Sequence, residues 1–135
     1  MKKHKQPAIF REFHLPEQGF RVLDLSAGLG YAAEGLKSLG ASVYDNLSLW
    51  KSGNPHIDNE FVCDIDDFDF SRLPKDYKYN LIVDCCGAFY YGQRIITNVL
   101  GLLSHLENGG QLIARTNQRG SDSMDTISYY LRNKE

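Results

Sequence analysis

No apolar run in this chain approaches the roughly 18 residues that cross a bilayer, so no transmembrane helix is expected. The opening MKKHKQPAIF has the charges of a secretory leader without a long apolar core behind them, and a cytoplasmic location is expected. Cysteine is scarce: three residues, two of them adjacent as Cys85 and Cys86, make no disulfide framework and lack zinc-ligand spacing. No metal site is expected. An excess of positive charge is also missing. Fifteen Lys and Arg against 17 Asp and Glu leave a formal net charge of −2, which argues against broad nonspecific nucleic-acid binding while allowing a local basic patch. Nor is there length for a second domain. A chain of 135 residues, 42% hydrophobic and 24% charged, forms one soluble core that buries about two thirds of its unfolded surface.

Against these absences, the most organised stretch is Arg21 to Gly30, RVLDLSAGLG. Val22, Leu23 and Leu25 form the apolar run of a buried strand, and Gly28 and Gly30 make a turn where backbone lies close to a ligand. Such a turn at a helix start directs amide donors outward, toward an anion or a hydrogen-bonding ligand such as a nucleotide-like cofactor. Asp24, at the end of the strand, repels phosphate and suits a cation.

Ahead of this stretch, Lys2, Lys3, His4 and Lys5 read as a solvated tail. Ile9, Phe10, Phe13 and Leu15 are spaced for a short amphipathic helix that lies over the cofactor mouth or covers the first strand. The segment 1–20 is thus set apart from a domain spanning 21–135.

After the glycine turn, Ala32, Ala33, Leu36 and Leu39 mark a helix face that Gly40 ends. A second strand runs through Val43 and Tyr44 to Asp45, where the acid of a βαβ unit accepts hydrogen bonds from ribose hydroxyls; the alternative is a cap for Asn46 to Trp50. Lys51 to Asn59 reads as a loop, and Phe61 to Cys63 as a short buried strand closed by Asp64. Asp66, Asp67 and Asp69 read as a solvated acidic face. Tyr79 to Asp84 is a fourth strand, Ile95 to Leu106 a helix that Asn108, Gly109 and Gly110 stop, Gln111 to Arg115 a fifth strand, and Ser121 to Leu131 a closing helix. Strands alternating with helices require a parallel sheet, and ligands then sit at the carboxyl ends where strand order reverses. The expected order is 3-2-1-4-5, within an α/β three-layer αβα sandwich carrying a mostly parallel five-stranded sheet.

DLSAGLG, from Asp24 to Gly30, resembles the first motif of class I Rossmann-like S-adenosylmethionine-dependent methyltransferases, an acid followed by three alternating glycines, with Ser26 in place of the first glycine. GLGYAA also fits the Gly-x-Gly-x-x-Ala dinucleotide fingerprint. The strand, helix, Gly-Gly, strand succession from Tyr79 to Arg115 resembles the second half of the methyltransferase core, so the resemblance extends over roughly Leu15 to Leu131.

That resemblance implies S-adenosyl-L-methionine as cofactor, with contacts from Asp24, Ser26, Ala27, Gly28, Gly30, Asp45, Asn46, Asp64, Ile65 and Asp84. In it Asp64 bonds the adenine amino group and Ile65 packs on the ring. The implied activity is methyl transfer to an unidentified nucleophilic acceptor, a small molecule or protein rather than nucleic acid. Asp84 and Tyr90 are the catalytic candidates, with Tyr91 and Asn117 near the acceptor, although Asp84 equally suits a cap. DCCGAFYYG lacks the Asp/Asn-Pro-Pro-Tyr/Phe signature of base amino methyltransferases. Cys85 or Cys86 as a pyrimidine C5 nucleophile competes with a reading of both as small buried hydrophobes.

The family core has two further strands beside the fifth, which this short form is expected to lack, leaving Gln111 to Arg115 as an edge for a homodimer or partner subunit. Two alternatives stay open: a noncatalytic S-adenosylmethionine-binding module that regulates or completes a partner, and a nicotinamide-dependent oxidoreductase, which leaves Asp24 and Asp64 without roles.

Overall fold

Val22 and Leu23 face opposite sides of the sheet because strand side chains alternate, and both are fully buried. A strand that hides both faces belongs in the middle of a parallel sheet. The computed structural model, which describes residues 19–25, 30–85, 93–117 and 126–132, places β1 (Arg21–Asp24) there. β1 pairs in parallel with β2 (Val43–Ser48) on one side and β4 (Tyr79–Cys85) on the other. β3 (Asn59–Val62) lies beyond β2 and β5 (Leu106–Asn117) beyond β4, both parallel to their neighbours. The chain therefore has the expected 3-2-1-4-5 order. The N-terminal segment 1–20 lies outside the described residues apart from Gly19 and Phe20.

Two apolar layers flank the sheet. On one face α1 (Tyr31–Ser38) buries Ala33 and Leu36 against Val22, Tyr44, Leu81 and Val83. On the other, α2 (Ile95–Leu103) and the 3-10 turns Ile65–Asp67 and Phe70–Arg72 cover Leu23, Leu47, Ile82 and Leu112. Among the described residues no helix is long and apolar enough to cross a membrane.

The far end of the sheet differs from expectation. Of the residues expected in a closing helix from Ser121 to Leu131, 121–125 lie outside the described residues and the rest belong to β6 (Thr126–Arg132), antiparallel to β5 from Gln111↔Arg132 to Asn117↔Thr126. TISYYLR is rich in β-branched and aromatic residues, and pairing along β5 outweighs the helical spacing of Met124, Ile127 and Leu131. Among the described residues the sheet thus has six strands, one of them beyond the fifth, where the sequence led to none. The expected strand-five edge, the site foreseen for a homodimer or partner subunit, is hydrogen-bonded to β6 and is not an edge. Among the described residues the outer strands are β3 and β6.

Other boundaries also move. The helix expected to reach Leu106 stops at Leu103, and Leu106 already belongs to β5. The Asn108-Gly109-Gly110 stop signal falls inside that strand. The β4–β5 register jumps from Tyr79↔Leu106 to Leu81↔Gln111, and Gly109 at φ 77 lies in this irregularity. β3, expected to be buried, is half exposed because it is an outer strand. Leu39, expected on the inner face of α1, is exposed beyond the helix end.

Candidate functional site

In a parallel sheet of this order, strand direction carries every βα connection to one rim, and the order reverses between β1 and β4. Asp24 ends β1 at that point and is almost fully buried. Its register partner is Asn46 in β2, so the two side chains lie beside each other on the same face of the sheet. Two residues before Asn46 on that face, Tyr44 donates its phenol proton to Asp24 Oδ2. Burial, and then the Asp24 charge, raise the Tyr44 pKa well above the ordinary tyrosine value, which keeps the phenol a donor. Asn46 is 1% exposed; its amide nitrogen is 3.4 Å from Ser48 Oγ and its side chain also bonds Glu60. Its Oδ1 is buried and has no hydrogen-bond partner among the described residues.

Gly30 is the residue that opens α1. It sits at φ 79, and an added Cβ would lie 2.8 Å from Ile57 Cδ1 and 2.9 Å from Asn54 Nδ2. Asn54 Nδ2 donates to the Gly30 carbonyl at 3.0 Å, tying the loop after β2 over the start of α1. Ser26, Ala27 and Gly28 lie outside the described residues, as do Tyr90, Tyr91 and Cys86.

Asp45 does not stand at the end of its strand. Asn46, Leu47 and Ser48 continue β2 because they pair with Glu60, Phe61 and Val62 of β3. The Asp45 side chain points to the face opposite Asp24, is fully buried, and accepts from Asn59 Nδ2 at 2.9 Å, Tyr77 Oη at 2.6 Å and Tyr79 Oη at 2.6 Å. Desolvation raises its pKa although all three donors act to lower it, and the neighbouring Asp58 charge adds to the rise. In turn, burial and the Asp45 carboxylate push both tyrosine pKa values up. The geometry makes Asp45 a tie between β2, β3 and β4. No cap for a helix at Asn46 to Trp50 is needed, since Asn46–Ser48 is strand.

Asp64 follows β3, is exposed, and accepts from the Asp66 amide at 3.0 Å as the cap of the 3-10 turn; Ile65 beside it is buried. Asp66 departs from the solvated acidic face expected of it. Its carboxylate accepts from the Gln93 amide at 2.7 Å, the Arg94 amide at 3.1 Å and Asn98 Nδ2 at 2.9 Å, joining the β3 exit to the start of α2. Those donors, the Gln93 amide foremost, hold its pKa below the usual aspartate value. Asp69 likewise caps the next 3-10 turn through Ser71 N. Asp84, fully buried in β4 opposite Ala114, lies on the Ile82 side of the sheet, away from Asp24.

The structure therefore places Asp24 beside Asn46 and leaves Asp45 and Asp84 on the other face. Sequence reasoning missed Tyr44. The available signal was a tyrosine at a core-facing position of a strand, where a buried phenol requires a hydrogen-bond partner.

Comparison with solved structures gives the class of fold. A structure described as an S-adenosylmethionine-dependent methyltransferase from Mesorhizobium loti matches at TM-score 0.63 and 24% identity, over 77% of this chain and 50% of that one. The plantazolicin methyltransferase BpumL, in complex with SAH, matches at TM-score 0.59 and 20% identity, over 74% of this chain and 40% of its own. The N-methyltransferase NodS from Bradyrhizobium japonicum WM9 matches at TM-score 0.63 and 13% identity, over 88% of each chain. The chain has the Rossmann-like fold of class I S-adenosylmethionine-dependent methyltransferases, and it spans about half the length of the first of these structures. No family model matches it, and comparison with characterised proteins gives no significant match.

Proposed function

We propose that the chain binds S-adenosylmethionine at the carboxyl ends of β1 to β3 and transfers its methyl group to a nucleophilic acceptor by in-line displacement. The observation that carries this reading is the in-register pair Asp24 and Asn46, two buried side chains on one face, with Asn46 Oδ1 left without a partner among the described residues. Adjacent acceptors under a glycine turn suit a ligand that presents hydroxyl and ammonium donors, and they repel a pyrophosphate. A nucleoside carrying a cationic amino-acid group meets that demand better than a dinucleotide.

In this reading Asn46 Oδ1 accepts a ribose hydroxyl, the role the sequence alone gave to Asp45. Asp24 faces the cationic part of the ligand, Asp64 accepts from the adenine amino group, and Ile65 backs the ring. Gly30, at the start of α1, is read as a ligand contact, and the resemblance assigns the same role to Ser26, Ala27 and Gly28. Bound S-adenosylmethionine supplies a methyl group already activated on a sulfonium. The chain's task is then alignment of acceptor and methyl, a contribution of ~7 kcal/mol or more. Asp84 and Tyr90 are assigned to the acceptor side, where a carboxylate takes up a proton if the acceptor carries one. The acceptor class favoured is a small molecule or a protein.

Calorimetric titration with S-adenosylmethionine, S-adenosylhomocysteine and NAD tests the cofactor. Binding of the first two and not the third is expected, and binding of NAD alone overturns the reading. Transfer of a tritiated methyl group into small-molecule, protein or RNA fractions of a cell extract tests the reaction and sorts the acceptor. Cofactor binding without transfer into any fraction would leave a binding module rather than an enzyme.

A further inference from the structure

We infer that Tyr44 is a positioning residue for the cofactor: it holds Asp24 in one orientation, so that the carboxylate meets the ligand's ammonium group. The inference rests on the cofactor reading above and adds a residue to it. Asp24 ends a strand whose next residue, Leu25, is still tied to β4 through its amide and the Val83 carbonyl at 2.8 Å, so the backbone beneath the carboxylate is fixed. Of the carboxylate itself, one oxygen, Oδ2, is engaged by the Tyr44 phenol.

Tyr44 is itself immobilised. It is fully buried in the layer between the sheet and α1, packed among Ala33, Leu36 and Ile57. Both polar groups of its backbone are held by Asp58: its amide donates to Asp58 Oδ2 at 2.8 Å, and its carbonyl accepts from the Asp58 amide at 2.8 Å. Asp58 Oδ2 in turn lies 2.6 Å from Lys37 Nζ of α1. A rigid donor aimed at one carboxylate oxygen selects one rotamer of Asp24, and burial keeps that donor protonated. The phenol reaches Asp24 from beneath the site, so it acts on the ligand only through Asp24.

Two probes separate this role from simple packing. S-adenosylhomocysteine carries the amino-acid ammonium; 5′-methylthioadenosine has the same adenosyl part and no ammonium. Their affinities are measured by calorimetry for wild type, Tyr44→Phe, Asp24→Asn and the double variant. Tyr44→Phe keeps the ring that fills the core. Expected is a loss of about tenfold or more in affinity for S-adenosylhomocysteine, the size of one charge-assisted hydrogen bond. Affinity for methylthioadenosine should change less than about twofold, and Tyr44→Phe should add nothing in the Asp24→Asn background.

Equal weakening of both probes, or additive losses in the double variant, overturns the inference in favour of a packing role. Unchanged binding of S-adenosylhomocysteine to folded Tyr44→Phe overturns it as well. If Tyr44→Phe does not fold, Tyr44→Met decides, because its flexible apolar chain occupies the space of the ring and carries no donor for Asp24. Selective loss of S-adenosylhomocysteine then sustains the inference, and equal loss of both probes overturns it. A wild-type chain that binds neither probe refutes the cofactor reading and the inference together, an outcome distinct from the others.

Discussion

Asp45 and Asn46 are neighbours in sequence with opposite surroundings, because successive residues of a strand face opposite sides. Asp45 is occupied by Asn59, Tyr77 and Tyr79, and its replacement by Ala would strand three donors at once. A loss of roughly 3 kcal/mol in denaturant unfolding is expected, with cofactor affinity in the folded protein changed less than about twofold. Asn46→Ala should do the reverse, with S-adenosylhomocysteine affinity reduced about three- to tenfold and stability nearly preserved.

The raised pKa of Asp45 gives a pH dependence of definite sign. A carboxyl whose folded pKa exceeds its unfolded value favours the folded state when protonated. Relative to Asp45→Asn, the wild type should therefore lose stability as pH rises from the ordinary aspartate value of about 3.9 through the raised folded value. Urea midpoints of the two proteins across that range check it, and a difference independent of pH would contradict the assignment.

Among the elements, α2 depends on a residue far from it in sequence. IITNVLGLL carries no acidic residue in its first turn and has no side-chain cap of its own at Arg94. Asp66 fills that place from the β3 exit, bonding the amides of Gln93 and Arg94 and the Asn98 side chain. Asp66→Ala should lower stability by about 1 kcal/mol, the usual size of a lost cap, read as a fall in the urea midpoint. Because its folded pKa is depressed, this contribution is present above the ordinary aspartate value and fades as pH falls through the folded one. The helix is held from the other side by Gly101, where a Cβ would come within 2.5 Å of the Phe70 ring. Gly101→Ala must therefore displace α2 or the 3-10 turn, and a loss of roughly 1 to 3 kcal/mol is expected in the same unfolding measurement.

For the whole molecule, stability should decline from the middle of the sheet outward. β1 and β4 are paired on both sides and carry buried residues toward both apolar layers, whereas β3 is a half-exposed outer strand. Native-state hydrogen exchange should accordingly be slowest at Leu23, Ile82 and Val83 and faster along Asn59–Val62. Uniform protection across all strands would mean that the sheet opens only as a unit. With β6 paired to β5, a charged substitution at Ile113 would act as a buried defect and unfold the chain, where an exposed edge would tolerate it. Ile113→Lys should lower stability by several kcal/mol in urea unfolding, on the scale of an unpaired buried charge.

How much of this was legible in the chain itself depends on how local the cause is. RVLD followed by a glycine turn and the AA..L spacing of α1 carry their own apolar periodicity, so β1, its turn and the helix after it were readable directly, as were β4 and the 3-2-1-4-5 order. The places of Asp24 at the end of β1 and Gly30 at the start of α1 were readable for the same reason. The end of β2 was not, because whether Asp45 closes the strand depends on Asn46, Leu47 and Ser48 finding partners 14 residues further on in β3. That displacement of the strand end turned Asp45 from a ligand contact into an internal tie. TISYYLR has spacings compatible with either a helix or a strand, and only the free side of β5 decided for strand. The Tyr44–Asp24 and Asp66–α2 bonds join residues 20 or more positions apart, and no local pattern encodes the partner of a buried phenol or of a helix end. The sequence determined which segments would be strands and helices wherever burial is periodic. The tertiary structure decided which polar groups meet, because a hydrogen bond depends on distance and direction in space and not on separation along the chain.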